Sequence, residues 1–266
     1  MERGRPLGLF RSLAIGLFIF SIPLALLTTN IRVAISEKAV YDYSVRTYDA
    51  AGVSGIPESE LIRANGEIVR YLRGTTTGPL SIAVEDDNGQ QVQLFNARET
   101  AHMADVRDLV QLLFAVQVLS VAVALTSAVV LLVLLPPRVL AAALLCGAVV
   151  TGGLLAIAGA VAVSGFDSAW DQFHLFAFSN DLWRLDPQED HLIQMFPEPF
   201  WERITLLLGA ATVFEAALIS LVSGAYLWFR RPGEPEPIVK PTPLLAGPAG
   251  HSRPAVAPPN PRRIAR

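Results

Sequence analysis

Apolar residues come in blocks along this chain. Four stretches carry no charge or almost none: residues 12–31, 109–137, 139–166 and 204–229. Each reaches roughly the 20 residues that a helix needs to cross about 30 Å of hydrocarbon. A helix is the spanning form that pairs its own backbone in lipid. The pattern therefore predicts an all-α polytopic membrane protein with four transmembrane helices.

Between the first two runs, residues 32–108 change character. Helical periodicity covers 37–50 and 57–72, the second opening with Pro57, a residue favoured in a first turn. Residues 80–84 and 91–95 alternate as short strands around Asp87-Asn88-Gly89, a good hairpin turn. Asn96-x-x-Glu99 has the spacing of a capping box, and its helix should continue unbroken into the second span. This predicts a small extracytoplasmic α+β cap between transmembrane helices 1 and 2. The second loop, 167–203, is aromatic: Trp170, Phe173, Phe176, Phe178, Trp183, Phe196, Phe200 and Trp201. Such rings concentrate at membrane–water boundaries. Asp186-Pro187-Gln188-Glu189 reads as a helix start, and Leu192, Ile193, Met195 and Phe196 give an apolar face, so a short interfacial helix on the outer leaflet is expected. The tail, 230–266, is rich in Pro, Gly and Ala and reads as disordered.

Charge orients these elements. Arg3, Arg5 and Arg11 precede the first span, Arg138 sits in the turn at Pro136-Pro137, and Arg230 and Arg231 follow the last. By the positive-inside rule both termini are cytoplasmic, and the cap and the aromatic loop lie outside. The loop supports this, with Arg184 and Arg203 against eight acidic residues. The first run has a basic start but no small-x-small cleavage site after Leu27, so it reads as an uncleaved anchor. The chain is 266 residues long, 52% hydrophobic and 17% charged, with formal net charge −3 and mean hydropathy +0.43. No basic face for nucleic acid is present. The single Cys146 lies in the third run, excludes an intrachain disulfide, and reads as a small buried apolar residue.

Candidate chemistry gathers at two histidines beside the spans. His102 lies in Glu99-Thr-Ala-His102-Met103-Ala-Asp105, with Arg98 at i−4 and Asp105 at i+3 on its helix face. His174 shares a face with Asp167 and Asp171. Histidine moves protons near neutral pH, and a neighbouring carboxylate can fix its tautomer and raise its basicity. A hydrated helix entrance explains one such histidine equally well; two at one membrane face point to chemistry on something held in one leaflet. His191 is a weaker third candidate, and His251 falls in the tail. No His-Glu-x-x-His, cysteine pair, nucleophile elbow or Gly-rich phosphate loop appears, so neither a metal nor a cofactor is expected. Glu215 falls within the fourth span, where a carboxyl group is expensive. Gln117 at similar depth in the second span is its expected hydrogen-bond partner.

The segments Phe95-x-x-x-Glu99-x-x-His102-Met103-x-Asp105-Val106 and Phe173-His174-x-x-x-Phe178-x-Asn180-Asp181-x-Trp183 resemble the bacterial lipoprotein intramolecular transacylase (Lit) family. The likeness continues through Asp186, Asp190-x-Leu192-Ile193 and Phe196-Pro197-x-x-Phe200, and with the four spans covers about residues 10 to 230. It implies an enzyme of the cell membrane that moves the sn-2 acyl chain of a diacylglyceryl-cysteine lipoprotein to that cysteine's α-amino group. His102 and His174 would be the catalytic pair. Asp105 and Asp171 would support them, and Arg98 is a candidate to hold a phosphate or carbonyl of the substrate. The partners would be a diacylated lipoprotein and membrane lipids, with no nucleic acid. For that implied chemistry, His102 oriented by Asp105 is the expected base and His174 the expected oxyanion partner, and the reverse division stays open. Two alternatives remain at this stage: a membrane sensor or scaffold with an outer partner-binding domain, and a metal-dependent hydrolase built on His102, His174 and Asp105.

Overall fold

The computed structural model describes residues 5–230. All of the expected disordered tail except Arg230 lies outside the described residues, as do Arg3 and His251. The order is α1 (Arg5–Ser36), α2 (Lys38–Thr47), α3 (Ala50–Ser54), α4 (Glu58–Leu72), β1 (Ala83–Glu85), β2 (Gln91–Gln93), α5 (Ala97–Leu134), α6 (Pro137–Ser164), α7 (Phe166–Ala177), α8 (His191–Met195) and α9 (Glu198–Phe229). Among the described residues, helices α1, α5, α6 and α9 are the four that are long and apolar enough to cross a membrane. The protein is a multi-pass membrane protein.

α1 is the centre of the bundle. It packs along α5 and against α6, and α6 packs along α9. A shared apolar cluster joins Ala14, Phe18 and Ile22 to Leu131 and Ala143. The approach of α1 to α6 needs a glycine: a Cβ on Gly147 would lie 2.9 Å from Cβ of Ile22 and 3.2 Å from the Ile19 carbonyl. Small residues at such crossings let backbones meet where water supplies no driving force.

α1 runs five residues beyond its apolar block, to Ser36, so Arg32 is helical and belongs to the bundle rather than to the cap. Polar side chains face inward there. Asn30 Nδ2 donates to Thr212 Oγ1 at 2.9 Å and to Glu215 Oε2 at 3.0 Å. On the other side, Arg32 donates to Gln117 Oε1 at 2.9 Å, and Gln117 Nε2 donates to Thr29 at 3.3 Å. The amide beside Glu215 is therefore Asn30, not Gln117, because α1 stands between α5 and α9 and takes each polar group separately.

The cap folds as a helical layer on a two-stranded hairpin. The expected helix over 37–50 is divided, because Asp49 adopts a left-handed φ of 51° between α2 and α3. The strands are shorter than the alternation predicted, pairing antiparallel with Val84 opposite Val92. The turn is as expected: Gly89 has φ 75°, and Asp86 Oδ1 accepts from the N–H groups of Asn88 and Gln90. Leu61, Ala64 and Ile68 of α4 close over Ile82, Val84 and Leu94.

The second loop completes this core. Leu192, Met195 and Phe196 are 8%, 0% and 5% exposed and pack into the cap cluster. α8 is thus a buried turn of the cap, not a helix lying on lipid. The cause is Glu99, itself 1% exposed. The capping box forms as expected: Glu99 N–H donates to Asn96 Oδ1 at 3.0 Å, and Glu99 Oε2 accepts from the Asn96 N–H at 2.8 Å. The free Oε1 accepts from the Leu192 N–H at 2.6 Å. Beside it Asn96 Nδ2 donates to Asp190 at 2.7 Å, and His191 Nδ1 donates to the Leu94 carbonyl at 2.6 Å, which makes His191 a structural residue. Replacing Glu99 by Ala leaves the buried Leu192 N–H unpaired and removes half of the capping box, and should cost about 2–4 kcal/mol. A lowered thermal midpoint in detergent, with Glu99→Gln losing less, checks this.

Candidate active site

His102 lies one turn and a half into α5, on the face turned toward the second loop. His174 comes from α7, which leaves α6 at Gly165, where φ is 158° and side chains are rarely accommodated. The two imidazoles are each 6% exposed, and their centroids lie 6.3 Å apart. The sequence separates them by seventy-two positions; the Glu99 clasp and the loop bring them together.

Aromatic rings enclose the pair. Trp183 stacks on His174 at 4.8 Å, while Trp170 and Phe173 meet its ring edge-on at 4.5 and 5.2 Å. Phe178 touches both histidines, at 5.2 Å from His102 and 5.7 Å from His174. Trp170 in turn stacks on Trp201 of α9 at 5.3 Å, so the box is braced against the bundle.

The hydrogen bonds distinguish the two histidines. His174 Nδ1 lies 2.8 Å from the Trp170 carbonyl, one helical turn earlier. A carbonyl only accepts, so the proton sits on Nδ1 and the basic lone pair is on Nε2. Burial holds His174 below the ordinary imidazole range, and the Trp170 contact and the charge of Asp171 offset this only in part. His174 is therefore neutral at pH 7. His102 Nδ1 is buried without a partner, as is Trp183 Nε1. Unpaired buried polar atoms cost about 1–3 kcal/mol each, and both of these belong to rings that flank His174.

The supporting residues act differently from expectation. Asp105 accepts from Asn180 Nδ2 at 2.9 Å, and no hydrogen bond joins it to His102. Arg98 donates to the Asp181 carbonyl at 3.1 Å. Both tie the 178–184 segment to α5 and so hold Phe178 and Trp183 over the histidines. Asp171 is exposed and reaches His174 through charge alone. The residues that the spacing did not single out are Asn180 and the Trp170 backbone. Asn180 stands in the quoted motif, whereas a backbone acceptor leaves no sequence signal. Next to the box, a cavity of about 310 Å³ opens between α5 and the loop, with Asp105, Asp108 and Asn180 at its polar side and Leu109, Leu112 and Phe178 at its apolar side. Among the described residues no group of three or more His, Cys, Asp and Glu side chains is placed to hold a metal ion.

A four-span bundle carrying a cap and a buried histidine pair defines a polytopic membrane protein with one candidate site for acid–base chemistry. Residues 16–201, more than half of the chain, match the family described as lipoprotein intramolecular transacylase Lit. The chain belongs to that family and is an acyltransferase, which sets the sensor alternative aside. In structure it is similar to the membrane integral lipoprotein intramolecular transacylase Lit from Bacillus cereus, with TM-score 0.72 at 18% identity over 84% of this chain and 99% of that one. Two single-histidine variants of that protein give TM-scores of 0.70 and 0.68, also at 18% identity, over 86% and 84% of this chain and 99% and 95% of theirs. No curated protein matches the chain.

The depressed affinity of His174 for protons has a definite sign. Its folded state resists protonation more than an unfolded chain does, so stability is present near neutrality and declines as the pH falls below the ordinary imidazole value of about 6.5. Ring-carbon NMR of labelled protein should place the His174 titration below that value, and Trp183→Ala should move it upward by admitting water.

Proposed function

We propose that this protein transfers the sn-2 acyl chain of a diacylglyceryl-cysteine lipoprotein to the α-amino group of the same cysteine. The observation that carries the reading is a buried, aromatic-walled histidine pair in a member of the Lit family. The proton inventory supports it. The α-amine, with an ordinary pKa near 8, attacks the ester carbonyl, and the new C–N bond forms as nitrogen gives up a proton. The ester C–O bond then breaks, and that proton goes to the glycerol oxygen. Ester becomes amide, so no nucleotide is consumed.

His174 suits the proton-carrying role, because its tautomer presents a basic Nε2 and its environment keeps it unprotonated. That reverses the division of labour expected from Asp105, whose carboxylate is committed to Asn180. His102 then serves the developing oxyanion, with its unpaired Nδ1 and the Trp183 N–H as groups in want of a partner. Arg98 and Asp105 position the loop. Donor and acceptor are tethered in one substrate, so correct placement removes several kcal/mol of the barrier, on the order of the 7–11 available to oriented intramolecular reactions. The cavity floored by Leu109 and Leu112 suits an acyl chain entering from lipid. Arg11, Arg138 and Arg230 lie at the bundle end away from the cap, which supports cytoplasmic termini and a site at the outer face.

Mass spectrometry of a diacylated lipopeptide incubated with the full chain tests the reaction. The product should have unchanged mass, with fragments placing one acyl chain on nitrogen. His102→Ala and His174→Ala should each lower the rate by about 10²–10⁴-fold. An unreacted lipopeptide with folded wild-type protein would overturn the assignment. The rate should also fall in acid, on the low side of the ordinary imidazole range, as His174 takes a proton and can no longer accept one.

A further inference from the structure

On another side of α5 a second groove opens toward the lipid. Its cavity is about 600 Å³, with Arg32, Arg73, Gln111 and Phe114 at one end and small or lipid-facing residues from Ala115 to Ala122 along its length. Gln111, Phe114, Ala115, Val118 and Ala122 form one helical stripe, whereas His102, Asp105, Leu109 and Leu112 form a different one. The groove is thus separate from the histidine box.

Its two cations lack counter-charges. The ion pairs among the described residues join Lys38, Arg46, Arg63 and Arg184 to carboxylates, and neither Arg32 nor Arg73 takes part. Arg32 gives one N–H to Gln117 and lies 4.7 Å over the Phe114 ring, which leaves most of its five donors unused. Gln111 Nε2 is spent on the Leu72 carbonyl, which holds the end of α4, and Arg73 after it, against α5. The depth is also informative. Arg32 follows Arg11 by twenty-one residues, or about 31 Å of helix, which matches a hydrocarbon thickness of about 30 Å. A half-buried guanidinium at that level meets lipid phosphates, and an unpaired charge there is expensive. Below it Val118 and Leu119 are 57% and 65% exposed, so the slot is open to acyl chains.

We propose that this groove holds an anionic glycerophospholipid of the surrounding leaflet, with its phosphate between Arg32 and Arg73 and one acyl chain along Ala115–Ala122. Guanidinium pairs bind phosphate oxygens by charge-assisted hydrogen bonds. The double positive charge favours a lipid with net negative charge over a zwitterion. The apolar slot favours a lipid over a free anion. Occupancy is independent of the transacylase reading, because it concerns other residues and needs no turnover.

Native mass spectrometry of the full chain in detergent, titrated with phosphatidylglycerol, phosphatidylcholine or diacylglycerol, tests this. Phosphatidylglycerol should be retained one per chain at the lowest concentration and diacylglycerol least. Arg73→Gln should weaken phosphatidylglycerol retention by about fivefold to tenfold, whereas Arg138→Gln at the other end of the bundle should not. Arg73 is exposed, so its loss leaves the fold intact even where Arg32→Gln does not. Equal retention of diacylglycerol, or an unchanged Arg73→Gln variant, overturns the proposal. So does displacement by millimolar inorganic phosphate, which would make it a free-anion site. One-for-one displacement by the diacylated lipopeptide would assign the groove to substrate and also overturn it. Transacylation can fail without touching any of these readings.

Discussion

A single buried carboxylate holds the working part of this protein together. Glu99 closes the first turn of α5 with one oxygen and takes the Leu192 N–H with the other. The first bond belongs to local helix chemistry; the second joins segments ninety-three positions apart. Two hydrogen bonds to one charged group are each stronger than neutral ones, and burial raises the cost of breaking the one to Leu192. The clasp sets where the second loop begins its return to the bundle, and that return completes the cap core through Met195 and Phe200. The start of α5, the loop and the cap consequently have one arrangement in common. His102 stands three residues beyond Glu99, so its position follows from the same clasp.

Inside that frame the aromatic residues do two things at once. Trp170, Phe173, Phe178 and Trp183 exclude water from His174, which favours its neutral form, and they leave its ring little freedom to rotate. Trp170 contributes both its ring and its carbonyl, so one residue governs hydration and tautomer together. The loop ties through Asn180 and Asp181 then matter as much as the rings, because Phe178 and Trp183 are held by them.

Much of the architecture was legible. The four apolar blocks, the capping box and its unbroken helix follow from composition and from spacing of three or four residues, which is local information. The pair His102 and His174 was also legible, since each stands next to a span with carboxylates on its face. What was not legible depends on partners. Helical spacing put Asp105 beside His102, but a face admits several neighbours, and Asn180 from the loop won. Glu215 and Gln117 were matched by depth, yet Asn30 on the intervening helix reached Glu215 first. The apolar face of α8 was real; its destination was the cap and not lipid, because the Leu192 N–H had a buried acceptor waiting. The Trp170 carbonyl carries no residue identity at all.

α5 is a single helix of 38 residues, from the capping box to Leu134. That is about 57 Å of uninterrupted rod, longer than the hydrocarbon it crosses. It has no hinge at which the part carrying His102 can shift relative to the part seated in lipid. The helix therefore works as a ruler: the distance of His102 from the far end of the span is a fixed length, and only tilt of the whole rod changes its projection along the membrane normal. A thicker or thinner membrane is then met by tilt of the rod as a body, so the bilayer itself sets how far the histidine pair stands from the chain's lipid-seated end.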